Sequence, residues 1–429
     1  MRRNNKKKLR VSLWRRWMDH GRALSGLVMT FFASAFLLLF LKDFAWQGLA
    51  LGMAVPLMIW LTTRVIPRIL PADSLTLSLT SFLCALGVLV LYDTNPHYAY
   101  HQALYYGVGL VAMEICIALV RTIRSWRGIA WLLAGLSLAV LALPLIIGRE
   151  INGANNWIEI GRFSLQPSEL VKLSLLVVLS YFMSRRSLIP WLAFAVGCLG
   201  ILMLQKDLGT ALLYYGTALM LYWTSTGNPG LTAVGLAGGA GAAVLGYRMF
   251  AHVKKRVAIW RNPWADYDNA GYQIVQGLMA IASGGLLGVG LGLGSPKAIP
   301  VYHTDFIFAV ICEQFGLIFG LLVLAMYVAL IWRGATTAMA ARTSFHGLLA
   351  MGATIMLGLQ TFVIIGGVIK LIPLTGVTMP FVSYGGSSLL SSMCLIGLIQ
   401  GVESLNESDI AEDTYLAELS LQQRGGGVR

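Results

Sequence analysis

Residues Lys254 to Phe308 read KKRVAIWRNPWADYDNAGYQIVQGLMAIASGGLLGVGLGLGSPKAIPVYHTDFIF. Almost everything around this stretch is apolar. Here the chain leaves the hydrocarbon, gathers charges and aromatic rings, and re-enters at Asp305. That contrast decides the fold class. Of 429 residues, 57% are hydrophobic and 12% charged, with a mean hydropathy of +0.71; a soluble protein carries about a quarter charged residues. Runs approaching the roughly 20 apolar residues that cross a bilayer recur on both sides. The expectation is an all-α, polytopic membrane helix bundle, because backbone groups in lipid must be satisfied within the helices themselves.

Spans are predicted at about 24–41, 44–62, 74–92, 103–120, 128–147, 168–183, 191–204, 208–223, 231–250, 305–332, 345–369 and 387–402. Before them lies a basic segment, 1–23, with Arg2, Arg3, Lys6, Lys7, Lys8 and Arg10. It leads into a full-length span without a small-residue cleavage site, so it reads as an anchor and not a removable signal. Counting parity from it, Arg64 and Arg68 fall inside, as do Arg121, Arg124 and Arg127, then Arg185 and Arg186, then Arg333 and Arg342. Four clusters thus agree with one orientation. The same count puts both termini in the cytoplasm, including an acidic tail over 403–429 expected to be disordered or weakly helical. The net charge of +13 is explained by these basic loops. No nucleic-acid-binding signature accompanies it.

The five cysteines (Cys84, Cys116, Cys198, Cys312 and Cys394) sit unpaired in apolar runs and read as packing residues. The histidines show no metal-ligand spacing.

Three longer loops fall outside: Gly148–Pro167, the large loop within 251–304, and Lys370–Gly386. The large loop breaks the charge rule with Lys254, Lys255, Arg256 and Arg261. Long loops translocate regardless of charge; equally, the cluster suits an anion such as phosphate. Asp266 lies between Pro263 and Gly271, flanked by Trp264, Tyr267 and Tyr272, which read as an interfacial belt or a sugar-stacking platform. It can serve as a general base on a hydroxyl, although a solvated loop carboxylate is the commoner case, and Asp268 competes. Residues 272–283 repeat their apolar side chains at helical spacing, which predicts a short interfacial helix. The glycines after it follow no strand, so they predict tight turns and close backbone approach, not a nucleotide site.

Charges within spans are costly and usually face a partner or a cavity. Glu169 and Lys172, three apart after Pro167, can pair on one face, either as a structural ion pair or as part of a site. Glu114 and Glu313 lie within spans, and Asp305 and Lys370 at outer ends. Gln205, Lys206 and Asp207 form a polar hinge between two short spans. Pro373 to Ser388, including Ser387, looks like an outer re-entrant segment. Asn152, Asn155, Asn156 and Trp157 give the first outer loop groups that can hydrogen-bond sugars.

NGANNWIEIG, QPSELVKLS, QKDLGTALL, RNPWADYDNAGYQ, HTDFIFAVICEQFG and PLTGVTMPFVSYGGSSL occur in that order. Together they resemble the SEDS family (shape, elongation, division and sporulation proteins; the RodA/FtsW/SpoVE-like cell-wall polymerases). The resemblance runs from about Asp73 to Val402. It implies a ten-span core over 73–402, so that 24–72 is an extra N-terminal transmembrane pair. It implies an inverting peptidoglycan glycosyltransferase of the bacterial cytoplasmic membrane that polymerises lipid II (a disaccharide-pentapeptide on undecaprenyl pyrophosphate) and works with a class B penicillin-binding protein. The family's essential aspartate corresponds to Asp266, and the Glu and Lys of its PSE-x-x-K motif to Glu169 and Lys172. Elongation, division and sporulation members are not separated by these motifs.

On this reading Asp266 accepts the acceptor sugar's proton. Lys254, Lys255, Arg256 and Arg261 meet the departing pyrophosphate, with a divalent cation as an option but no cofactor required by the sequence. Trp264, Lys370 and Ser387 complete the substrate-binding set with Glu169 and Lys172. Two other readings compete: a flippase for the lipid-linked precursor, suggested by the intramembrane charges and broken spans, and a non-catalytic scaffold.

Overall fold

A computed structural model of the chain describes residues 24–42, 44–151, 154–160, 163–269 and 271–425. The basic N-terminal run and Asn152 lie outside the described residues. The architecture is a helical membrane bundle, in which ten helices are long and apolar enough to cross a membrane. They are α1 (Leu24–Lys42), α2 (Trp46–Ile69), α3 (Ser74–Thr94), α4 (Pro96–Thr122), α5 (Arg127–Ile147), α6 (Pro167–Ser184), α9 (Pro229–Met249), α12 (Ile307–Ala340), α13 (Ser344–Val368) and α14 (Gly386–Gly425). Between α6 and α9 run α7 (Leu188–Leu204) and α8 (Leu208–Thr226), so each of the twelve predicted segments coincides with a helix.

The core is built around α3, almost wholly enclosed by its neighbours. Leu77, Leu83, Leu86 and Leu89 are fully buried there. Ser78 and Thr80 on the same helix turn their hydroxyls back to the carbonyls of Ser74 and Thr76, at 2.7 and 2.9 Å, which makes polar side chains tolerable inside the bundle. Asp73 caps α3 by accepting from the Thr76 amide at 3.1 Å and pairs with Arg333 at 2.9 Å. The last helix, α14, packs along α4. Gly397 and Gly401, four apart, permit the approach: a Cβ at the first would overlap the Met113 carbonyl, and one at the second would press on Val120. Without a hydrophobic drive between helices in lipid, such small-residue contacts supply the packing.

The structure departs from expectation in two places. The first outer loop is not irregular: strands β1 (Arg149–Ile151), β2 (Ala154–Ile160) and β3 (Phe163–Leu165) form a small antiparallel sheet, with Ile158 opposite Leu165. The large loop is mostly helical, with α10 (Ala251–Arg261) and α11 (Tyr272–Gly284); the second matches the predicted interfacial helix. Of the two expectations for the acidic tail, the helical one holds over the described residues: it continues α14 as helix to Gly425. Asn406 donates to the Thr337 carbonyl at 3.1 Å, and Arg342 holds Asp409 and Asp413 at 3.3 and 3.0 Å, so acidic side chains that would repel one another have a basic partner.

The glycine stretch does make the close approach expected of it. Helix α12 breaks at Gly316, where φ is 86° and ψ 169°. The backbone groups released by the break are taken up by the glycine segment: the Val289 and Gly290 amides donate to the carbonyls of Glu313 and Gln314 at 2.9 and 3.0 Å, and the Leu317 amide to Gly285 at 2.9 Å. A side chain at Gly316 would run into the Leu286 carbonyl.

Candidate active site

The 370–386 segment dips back into the bundle, as its composition suggests. Met379, Phe381 and Val382 are buried. Tyr327 of α12 donates to the Pro380 carbonyl at 2.5 Å, and Gln102 of α4 to Ser383 at 3.0 Å. This segment is the anchor for α10. Arg256 and Trp260, four residues apart and therefore on one helical face, donate to the carbonyls of Thr375 and Lys370 at 2.8 and 3.1 Å.

Arg256 thereby reaches into a charged recess at the loop-bearing face. Burial lowers its pKa, while the nearby carboxylates of Asp305 and Asp207 raise it. Asp305 stands two residues before α12 begins. Burial pushes its carboxyl up to about 6, against the opposing pull of the Thr304 hydroxyl and Arg256. A Cβ built on Gly376 would lie 3.8 Å from both Arg256 Nη2 and Asp305 Oδ2, so this bare turn leaves room beside both groups.

Asp207 is the hub of the recess. It caps α8 by accepting from the Thr210 amide at 3.1 Å and the Thr210 hydroxyl at 2.9 Å. It also accepts from Asn156 at 2.7 Å and Gln166 at 3.2 Å, tying the sheet and the start of α6 to the α7–α8 hinge. From the sequence it reads only as part of a polar hinge. An Asp just before a helix with Thr three residues on was the signal for a cap.

Asp266 ends a short 3-10 turn, Pro263–Asp266, immediately after α10. It is partly exposed and accepts from the Asn269 amide group at 3.0 Å. Trp264 and Tyr267 stack nearly parallel at 6.1 Å, Tyr272 meets Tyr267 edge-on at 5.8 Å, and Gln276 donates to the Tyr267 hydroxyl at 3.2 Å. The three rings therefore cluster beside Asp266, with Trp264 57% exposed. Lys254, Lys255 and Arg261 are exposed on α10, whereas Arg256 is half-buried. The basic cluster splits into one arginine turned inward and three cations turned to solvent.

Glu169 and Lys172 pair deep in the bundle at 2.7 Å. Lys172 also donates to Gln360 of α13 at 2.9 Å, and Glu169 accepts from Ser391 of α14 at 2.5 Å. Gln360 in turn donates to the Thr378 carbonyl at 2.9 Å, and the Thr378 and Ser388 hydroxyls share a 2.5 Å hydrogen bond. Ser387, beside Ser388, is buried in the first turn of α14. The network joins α6, α13, α14 and the re-entrant segment that anchors α10. Gln360 and Ser391 went unread in the sequence, where a lone amide in an apolar span was the available hint. Lys370, with φ at 62°, contributes its carbonyl to Trp260.

Residues 68–408 match the model of the FtsW/RodA/SpoVE cell cycle proteins. Among curated relatives, the peptidoglycan glycosyltransferase RodA of Mycobacterium tuberculosis (strain H37Rv) is 34% identical over 388 residues, covering 82% of this chain and 83% of the relative. Stage V sporulation protein E of Bacillus subtilis (strain 168) is 34% identical over 359 residues, covering 77% and 96%. Among solved structures, a chain of a peptidoglycan synthase complex that coordinates polymerization and crosslinking superimposes with a TM-score of 0.67 at 30% identity, covering 78% of this chain and 98% of that one. Thermus thermophilus RodA gives 0.56 at 29% identity, covering 79% and 98%. The match spans the bundle from the end of α2 to the tail and contains every element of the recess: the chain belongs to the FtsW/RodA/SpoVE family.

Proposed function

We infer that this membrane-embedded peptidoglycan glycosyltransferase takes lipid II as its substrate and that Asp266 is its general base. The observation that carries the reading is the construction of the large loop. A single segment supplies a carboxylate beside an aromatic cluster and, one helix earlier, an arginine held near Asp305 by the buried re-entrant segment. Glycan transfer needs that combination. The acceptor 4-hydroxyl attacks the donor's anomeric carbon as its proton passes to Asp266. The bond from that carbon to the pyrophosphate breaks, and the pyrophosphate leaves with the electron pair. Attack opposite the leaving group inverts the centre.

In this scheme Arg256 and the exposed Lys254, Lys255 and Arg261 meet the developing phosphate charge. Trp264 stacks on sugar. Lys370, Ser387, Glu169 and Lys172 hold the floor on which α10 rests. Among the described residues no three His, Cys, Asp or Glu side chains cluster. A divalent cation at this site would be shared between one or two carboxylates and the substrate phosphates, and a chelator titration reports on it. The termini are cytoplasmic in the proposed orientation, and a class B penicillin-binding protein is the proposed partner; the relatedness to a synthase complex supports it.

The test is Asp266→Asn, purified and given lipid II in detergent. Its expected product yield is lower by about 100-fold or more, the usual share of a positioned base. Polymerisation at the wild-type rate would remove Asp266 from the role. Glycan made in detergent by the unaltered protein also separates a polymerase from a flippase, which needs a sealed bilayer.

A further inference from the structure

The face opposite the recess carries a second constructed site. Three connections meet there: those between α4 and α5, between α6 and α7, and between α12 and α13. They enclose a cavity of about 500 Å3 whose lining includes Arg124, Trp126, Arg127, Arg185, Phe345 and His346. The three guanidiniums are exposed, and among the described residues none of them pairs with a carboxylate. Asp409 and Asp413 are held by Arg342, and the charge of Asp409 bears on His346 without an ion pair to any of the three. Arg185 lies 5.8 Å from the Tyr181 ring centre, a contact that orients it without neutralising it.

The buried wall is unsatisfied in the complementary sense. Trp126 is only 9% exposed, and its indole N–H has no hydrogen-bond partner among the described residues. His346 is similar: Nδ1 meets the Thr343 hydroxyl at 2.8 Å, and the enclosed Nε2 has no partner. Phe345 packs on Trp126 at 5.2 Å and makes one side apolar. A buried N–H without an acceptor calls for an explanation, and here it stands beside three uncompensated cations.

We propose that this cavity binds a phosphate group. Guanidinium forks match phosphate oxygens in pairs, the indole N–H supplies a further donor, and the Trp126–Phe345 side suits a carbon stem. The phosphate has two sources: the headgroup of an anionic phospholipid at the end of the spans, where basic pockets recognise such lipids, or a soluble phosphate compound. In either case the site lies at the opposite end of the spans from Asp266. The choice of the inner leaflet rests on the orientation proposed above; binding in detergent does not.

The experiment is thermal unfolding of the purified full-length chain in neutral detergent at fixed ionic strength. It is titrated separately with phosphatidylglycerol, phosphatidylcholine and inorganic phosphate. A saturable rise in Tm is expected with phosphatidylglycerol and not with phosphatidylcholine. A comparable rise with millimolar inorganic phosphate assigns the soluble source, and a response to the lipid alone assigns the headgroup. Arg124→Ala combined with Arg185→Ala weakens the apparent affinity about tenfold or more, as expected for lost charge-assisted bonds. Trp126→Phe keeps every charge and weakens it roughly threefold or more. Arg68→Ala, an arginine of α2 outside the cavity, leaves it unchanged. The proposal is overturned if neither phosphate source gives a saturable shift. It is equally overturned if the Trp126 and double-arginine variants bind like the unaltered chain, or if Arg68→Ala weakens binding as much as they do.

Discussion

At the scale of single residues, the buried pair Glu169–Lys172 and the carboxyl of Asp305 face opposite electrostatic situations. The pair has hydrogen-bond partners on both members, so removing one member strands the other in a dry interior. Glu169→Ala or Lys172→Ala is expected to cost about 3–5 kcal/mol, read as a fall in Tm. The double change Glu169→Gln with Lys172→Met, which strands no charge, should recover most of it. Asp305, in contrast, is opposed by its surroundings. Its folded pKa of about 6 lies above the unfolded value near 4, so the folded state holds its proton more tightly. Stability from this group is therefore full at low pH and declines as pH rises between about 4 and 6. Asp305→Asn should flatten the dependence of Tm on pH across that window. An unchanged slope would show that the carboxyl is better solvated than its setting indicates.

At the scale of elements, the break in α12 and the glycine segment form one unit, since each satisfies the other's backbone. Gly316→Ala places a side chain at a positive φ, a strain of about 1–3 kcal/mol, and presses on the Leu286 carbonyl as well. The expected result is a lower Tm together with faster proteolysis within 285–294; a protein with unaltered Tm would refute the coupling. Legibility in the sequence divides along the same line. Spans and the α11 helix were readable because periodicity and length are local properties. The close approach of glycines was readable as a tendency, but its partner, Gly316, was not, because that contact is set by packing. The same holds in the recess. Asp266 was singled out by motif and Arg256 by charge. The role of Asp207 depends on Asn156 and Gln166, which come from other elements, and spacing along the chain says nothing of that meeting. The β-sheet was missed because its strands are short and lack a sustained alternation.

For the molecule as a whole, the family match begins at residue 68, leaving α1 and most of α2 outside it. The pair is nevertheless seated on the core. Phe32, Phe36, Val55 and Ile59 are buried, and Lys42 donates to the Gly292 carbonyl of the glycine segment at 3.1 Å. A chain starting at Leu70 is expected to retain polymerisation in detergent but to unfold at a lower Tm. Complete loss of product from a folded truncation would assign the pair a direct part in the reaction. The arginine pocket and the recess around Asp305 lie at opposite ends of the spans, so a ligand at the arginine pocket can act on catalysis only through the bundle.

The wiring of the Glu169–Lys172 pair bears on how the protein is made. Lys172 must await Gln360, 188 residues downstream, and Glu169 must await Ser391, 222 residues downstream. With translation at about 5–20 residues per second, the second wait lasts on the order of ten to forty seconds. Throughout that interval α6 has an ion pair lacking the partners that make it tolerable in lipid. The nascent helix must therefore linger in the insertion machinery, keep water beside it, or stay shallow until the last span arrives. Biogenesis of this enzyme ends, electrostatically, with its C-terminal helix.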